Sequence, residues 1–147
     1  MSALPPVRRE IVVPAPPEVA FDVFTGAIGI WWPVASHSVH GAAASAAFVN
    51  GVIVESSPGE ADGIWGTVLV WEPPARLAFT WHPGRGPESA SRVDVTFAAV
   101  DAGTAVHLVH ADWESFADPA AARQMYDEGW PIVLAAYAGA FPVPTPR

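Results

Sequence analysis

Hydrophobic and polar positions alternate most clearly from Trp65 to Pro83, W-G-T-V-L-V-W-E-P-P-A-R-L-A-F-T-W-H-P. Proline has a fixed φ and no backbone donor, so Pro73-Pro74 marks a corner between two strands rather than a position inside a ladder. After the corner Leu77, Phe79 and Trp81 fall on one face, with Arg76, Ala78 and Thr80 on the other. Trp65 and Trp71 add large rings to the strand before it. A face this apolar either meets a long helix or lines a cavity.

The same reading extends along the chain. Val7 to Val13 predicts a first strand with Val7, Ile11 and Val13 in phase, stopped by Pro14. Pro16 to Thr25 predicts a helix, with prolines in its first turn, Glu18 suited to the dipole, an apolar stripe at Val19, Val23 and Phe24, and Gly26 as C-cap. Ala27 to Trp32 predicts a short second helix closed by Pro33. Trp31 and Trp32 are adjacent, so one of them is expected at an opening. Ala43 to Ser57 predicts two strands around Asn50-Gly51, a hairpin-turn dipeptide, although a bulge at Gly51 would also serve. Arg92 to Val100 alternates with Val93, Val95 and Phe97 inward. Asp101-Ala102-Gly103 turns the chain, and Thr104 to Ala111 follows with Val106, Leu108 and His110 in phase. Asp118 is an N-cap with Pro119 at the first helical position, and Trp130, Val133, Leu134 and Tyr137 recur at helical spacing toward Ala140. Gly129 and Pro131 predict a kink or break in that helix. The tail from Phe141 is expected to fray.

This order predicts an α+β helix-grip fold. A curved antiparallel sheet of about six to seven strands wraps a long C-terminal helix, with two short helices after the first strand. The length of 147 residues fits one domain with a core from about 7 to 140. The net charge is −8, with 7 basic and 15 acidic residues and no cysteine. No basic stripe is available for nucleic acid or for an anionic membrane surface, and disulfides and thiolate zinc sites are excluded. No apolar targeting segment follows the N-terminal arginines, so a cytoplasmic protein is the expectation, monomer or homodimer.

Few residues carry chemistry. His37 and His40 have H-x-x-H spacing, but Pro33 and Gly41 bracket them in a loop without an acidic third ligand, so no metal site is expected. His107 and His110 lie three apart on a strand and point to opposite faces. His110, facing inward, is either a satisfied core residue or an acid–base group at a cavity. Glu55, if it shares a face with Ile53, is a carboxylate among apolar side chains, an environment that suits a catalytic acid. Asp94, Asp112 and Glu114 read as surface charges, and Arg85 between Gly84 and Gly86 is given no role. No nucleophile elbow, zinc-protease motif or phosphate loop is present, and no cofactor is expected.

The stretch Arg8-Arg9-Glu10-Ile11-Val12-Val13-Pro14-Ala15-Pro16-Pro17-Glu18 resembles the start of START-like (SRPBCC) proteins. So do Phe24-Thr25, Trp31-Trp32-Pro33, the W-G-T-V-L-V-W-E-P-P and L-A-F-T-W strands, and Gly129-Trp130. Within that superfamily the chain is similar to the bacterial branch named after the activator of heat-shock-protein-90 ATPase. The resemblance implies a deep apolar cavity between sheet and terminal helix and supplies no catalytic motif. The expected function is binding of a small hydrophobic ligand, aromatic or polyketide-like. Its contacts would come from Trp32, His40, Trp65, Leu77, Phe79, Trp81, Val95, Phe97, His110, Trp130, Val133 and Tyr137. The alternatives are a cyclase, dehydratase or hydrolase using His110 and Glu55 in the same cavity, and a protein that stimulates a chaperone ATPase.

Overall fold

The computed structural model describes residues 4–33, 44–59, 61–83 and 85–141. Strand β1 (Val7–Val13) leads to helices α1 (Pro17–Gly26) and α2 (Ile28–Trp31). Strands β2 (Ser45–Val49), β3 (Val52–Ser56), β4 (Gly63–Glu72), β5 (Arg76–Trp81), β6 (Ser91–Val100) and β7 (Gly103–Ala111) follow, and helix α3 (Pro119–Ala138) comes last. The seven strands form an antiparallel sheet in the order β1-β7-β6-β5-β4-β3-β2. The chain therefore has the α+β helix-grip fold. At the β2–β3 hairpin Asn50 (φ 49°) and Gly51 (φ 81°) are both left-handed, as a type I′ turn requires.

Alternation decides which side of the sheet is buried. Val93, Val95 and Phe97 of β6 and Val106, Leu108 and His110 of β7 are all buried, while their neighbours are partly exposed or exposed. Strand β4 departs from simple alternation. Its ladders shift between Ile53 and Val54 on one side and between Val68 and Val70 on the other. Such bulges bend a strand and re-aim its side chains. Val68 pairs with Phe79 and Trp71 with Leu77. Cross-strand partners share a face, so Val68 and Trp71, three residues apart, both take the concave side. Gly66 of β4 lies directly against Thr80 of β5. A Cβ there would lie 1.7 Å from the Thr80 carbonyl oxygen, so only glycine fits.

The helices close the concave face. The buried side of α1 is Ala20, Phe21, Phe24 and Thr25; of the expected stripe, Phe24 is buried and Val23 packs against the core, but Val19 is 43% exposed. The reason is rotational: Val19 sits one position before Ala20 and two before Phe21, and the rings of Phe21 and Phe24 claim the sheet by packing on Phe97 at 5.2 and 5.8 Å. Trp31 and Trp32 are both buried, against the expectation that one lies at an opening. The helix ends between them, so Trp32 turns onto an extended backbone (φ −63°, ψ 130°). The Trp31 indole N–H donates to the Val23 carbonyl at 2.8 Å. Phe141 is buried against Tyr137 rather than frayed.

Helix α3 is continuous through Pro131, so of the two expectations there, a kink or a break, the break does not occur. Proline at 131 leaves the Asp127 carbonyl without its helical donor. Arg9 from β1 supplies one instead: its Nη2 donates to the Asp127 carbonyl at 2.9 Å and also to the Asp127 carboxylate. Asp118 caps the helix start by accepting from the Ala121 amide at 3.1 Å. Replacing Arg9 by alanine is expected to cost about 1–2 kcal/mol in urea unfolding, most of it from the orphaned carbonyl. The ion pair itself is more than a third exposed and contributes little. In the Arg9→Ala background, Pro131→Ala should recover stability, because the new N–H closes the same carbonyl.

Candidate functional site

Of the residues expected at a site, those the structure describes converge on the buried side of the sheet. Trp32, Trp65, Leu77, Phe79, Trp81, Val95, Phe97, Trp130, Val133 and Tyr137 belong to one hydrophobic cluster, with His110 and Glu55 buried among them. His40, like His37, lies outside the described residues. The rings touch one another. Trp32 packs on Trp65 at 5.0 Å and on Trp81 at 5.7 Å, Trp65 on Trp81 at 5.6 Å, and Trp81 on Trp130 at 5.6 Å. These separations are those of favourable tilted and edge-on pairs.

Two polar groups sit within this apolar mass. Ile53 and Glu55 are both fully buried, which places the carboxylate on the inner face. Its Oε1 accepts the indole N–H of Trp65 at 2.9 Å. His110 uses both ring nitrogens. The Trp130 indole N–H donates to Nδ1 at 2.9 Å. Ser91 Oγ lies 2.7 Å from Nε2 and itself donates to the Trp81 carbonyl at 3.1 Å. A hydroxyl that donates onward must accept from the imidazole, so the proton is on Nε2 and the ring is neutral. Burial, and then the positive charge of Arg85, lower the His110 pKa to about 3. Tyr137 is fixed in turn: its hydroxyl donates to the Ala20 carbonyl at 2.7 Å, tying α3 to α1, and burial pushes its pKa up.

A cleft of about 360 Å³ opens beside this packed region, lined by Phe48, Asn50, Gly51, Val68 and Trp71. It lies where the β2–β3 turn folds over the bulged part of β4, and the Val68 amide donates to the Gly51 carbonyl at 2.8 Å. Trp71 is 49% exposed although it is on the concave side. Its ring meets Phe21 edge-on at 5.2 Å and Phe48 at 6.1 Å, and Phe48 in turn meets Phe79 at 6.1 Å. The cleft is therefore continuous, through Phe48 and Phe79, with the buried rings. None of its lining residues was among the expected ligand contacts, although Trp71 was read on a face that meets a helix or lines a cavity. The Asn50-Gly51 turn was legible as a turn, but only the bulge in β4 brings Val68 and Trp71 to the same side. Among the described residues no cluster of three metal-ligating side chains occurs. No described helix is long and apolar enough to cross a membrane.

Comparison with known proteins places this architecture. No curated protein matches the chain. The solved structure of the anthrahydroquino-gamma-pyrone synthase Txn09, complexed with SUM, is 30% identical, covering 95% of this chain and 99% of that one, with a TM-score of 0.60. The Aha1 dimer from Colwellia psychrerythraea is 20% identical over 94% of this chain and 96% of its own, with a TM-score of 0.67. Protein MLL2253 from Mesorhizobium loti is 19% identical over 91% and 94%, with a TM-score of 0.66. The profile of the activator of Hsp90 ATPase homolog 1-like family matches residues 14–140, and with the helix-grip fold this means that the chain belongs to that family, within the START-like superfamily.

Proposed function

We propose that the protein binds a small hydrophobic ligand, aromatic or polyketide-like, on the concave face of the sheet. The observation that carries the reading is the cleft of about 360 Å³ with Trp71 half-exposed at its wall. Its volume is within the range of small-molecule sites, and its make-up, apolar walls with an asparagine at the rim, is typical of them. Covering the open part of the indole, on the order of 100 Å² at about 25 cal/mol per Å², would contribute about 2–3 kcal/mol to binding. The 30% identity to a synthase solved with a bound compound supports a ligand of similar character.

The same likeness favours a second reading, in which the bound compound is also transformed. His110 and Glu55 remain its candidate acid–base groups, although neither lines the cleft and both nitrogens of His110 are engaged. Proton transfer through His110 would first require the Ser91 or Trp130 bond to open.

Titration with the neutral fluorophore N-phenyl-1-naphthylamine tests the binding reading. Saturable binding in the micromolar range is expected. Trp71→Ala should weaken it by about tenfold, equivalent to about 1.4 kcal/mol. A linear, unsaturable response in the parent protein would remove the proposal.

A further inference from the structure

Arg85, which the sequence reading left without a role, stands in a setting that calls for an anion. It lies in the connection between β5 and β6, partly buried. Its guanidinium carbon is 3.8 Å from the centroid of the Phe116 ring, a cation–π contact. One terminal nitrogen donates to the Trp81 carbonyl at 3.1 Å and the other to the Ser89 carbonyl. Among the described residues the ion pairs are Arg9–Asp127, Arg76–Asp94 and Arg92–Asp94, and none includes Arg85. Glu88, in the same connection, carries its carboxylate against Gly86 instead.

The groups around Arg85 are donors as well. The indole N–H groups of Trp81 and Trp113 are buried and make no hydrogen bond of good geometry, the Tyr126 oxygen being the group that the Trp81 N–H approaches. A buried donor left unpaired costs about 1–3 kcal/mol and calls for an explanation. The Tyr126 hydroxyl interacts with both Arg85 and the Trp81 indole N–H. Burial raises the pKa of this phenol, while the Trp81 N–H and the Arg85 charge pull it down. Burial also lowers the pKa of Arg85. The walls are aromatic: Trp113 packs on Phe116 at 5.8 Å and on Tyr126 at 5.9 Å, and Tyr126 on Phe116 at 6.2 Å. Phe116 and Tyr126 are partly exposed, with Trp81 and Trp113 buried behind them.

The geometry points to a second binding site, one that takes an aromatic carboxylate, with its anionic oxygens on Arg85, the Tyr126 hydroxyl and the Trp81 N–H and its ring against Phe116 and Tyr126. The site is at the Trp81 end of β5, whereas the cleft at Trp71 is beside Leu77, near the strand's other end. It therefore stands or falls separately from the ligand proposed there. A carboxylate supplies a negative charge for a guanidinium that has no ion pair among the described residues, in the fork geometry arginine favours, and a stronger acceptor for a buried N–H that makes no hydrogen bond of good geometry.

Calorimetric titration with 2-naphthoate and with its neutral isostere naphthalene-2-carboxamide tests this directly. The parent protein should bind 2-naphthoate at least tenfold more tightly than the carboxamide. Arg85→Gln should abolish that preference while its thermal unfolding stays cooperative, and Tyr126→Phe should reduce it. In ¹H–¹⁵N spectra of the parent protein, 2-naphthoate should move the Trp81 indole N–H resonance downfield. Equal affinity for the two probes, no binding of 2-naphthoate, or a preference that survives in Arg85→Gln would each overturn the site. If Arg85→Gln fails to fold, the Trp81 resonance in the parent protein decides: no shift at saturating 2-naphthoate rejects it.

Discussion

Acidification is expected to destabilise the protein well before its carboxylates titrate, because of His110. In the unfolded chain this imidazole takes a proton below about pH 6.5. In the native state its pKa is about 3, lowered by burial and by Arg85. Between these values the unfolded state holds more protons than the native one, so stability rises with pH across that window. The stability is fully present above pH 6.5 and is lost progressively as pH falls toward 3. At about 1.4 kcal/mol per pH unit the loss reaches about 2 kcal/mol by pH 5 and on the order of 4–5 kcal/mol by pH 3. Urea unfolding of the parent protein and of His110→Gln between pH 8 and pH 5 isolates this contribution. The parent should lose about 2 kcal/mol more than the variant over that range. Parallel curves would mean that His110 is not the group responsible.

The second large effect is expected at Trp130. Its ring contacts Trp32, Trp81, His110 and Tyr126, it is 2% exposed, and its N–H holds Nδ1 of His110. Trp130→Ala removes a whole indole from a close-packed region and orphans a buried nitrogen, so a loss of about 3–5 kcal/mol in denaturant unfolding is expected. Trp130→Phe separates the two contributions. It keeps most of the volume and gives up the hydrogen bond, and a proton on Nδ1 no longer collides with a donor. The His110 pKa followed by NMR should therefore rise in Trp130→Phe. A Trp130→Ala variant within about 1 kcal/mol of the parent would show that the neighbouring rings close over the gap.

How much of this was legible in the sequence follows from what each position depends on. Period-two alternation placed Val93, Val95, Phe97, Val106, Leu108 and His110 on the buried face, since a regular strand leaves no other solution once one side is covered. The Asn50-Gly51 turn, the Asp118-Pro119 start of α3 and its buried Trp130, Val133, Leu134 and Tyr137 were legible for similarly local reasons. The misreadings share a different cause: a partner far away in sequence. Pro131 interrupts a helix in isolation, and Arg9, 122 positions before it in the chain, supplies the missing donor. Val19 falls outside the buried side of α1 because Phe21 and Phe24 meet Phe97. Val68 and Trp71 share a face only because the β4–β5 ladder slips between them. Arg85, Phe116 and Tyr126 form a group that only the folded chain assembles, and no spacing could announce it.

The candidate site was readable to the same depth. An aromatic concave face could be foreseen from strand phases, and most of the residues chosen from it are buried together. Where that face stays open could not, because it depends on the bulge and on the β2–β3 turn that overhangs it. Chemical-shift mapping with N-phenyl-1-naphthylamine is the most direct measurement of whether this opening receives a guest. The expected result is saturable shifts at the amides of Asn50, Gly51 and Val68 and at the Trp71 indole N–H, with the outward-facing His107 and Val109 unmoved. Shifts confined to the outer face of the sheet, or none at saturating probe, would contradict a ligand on the concave side.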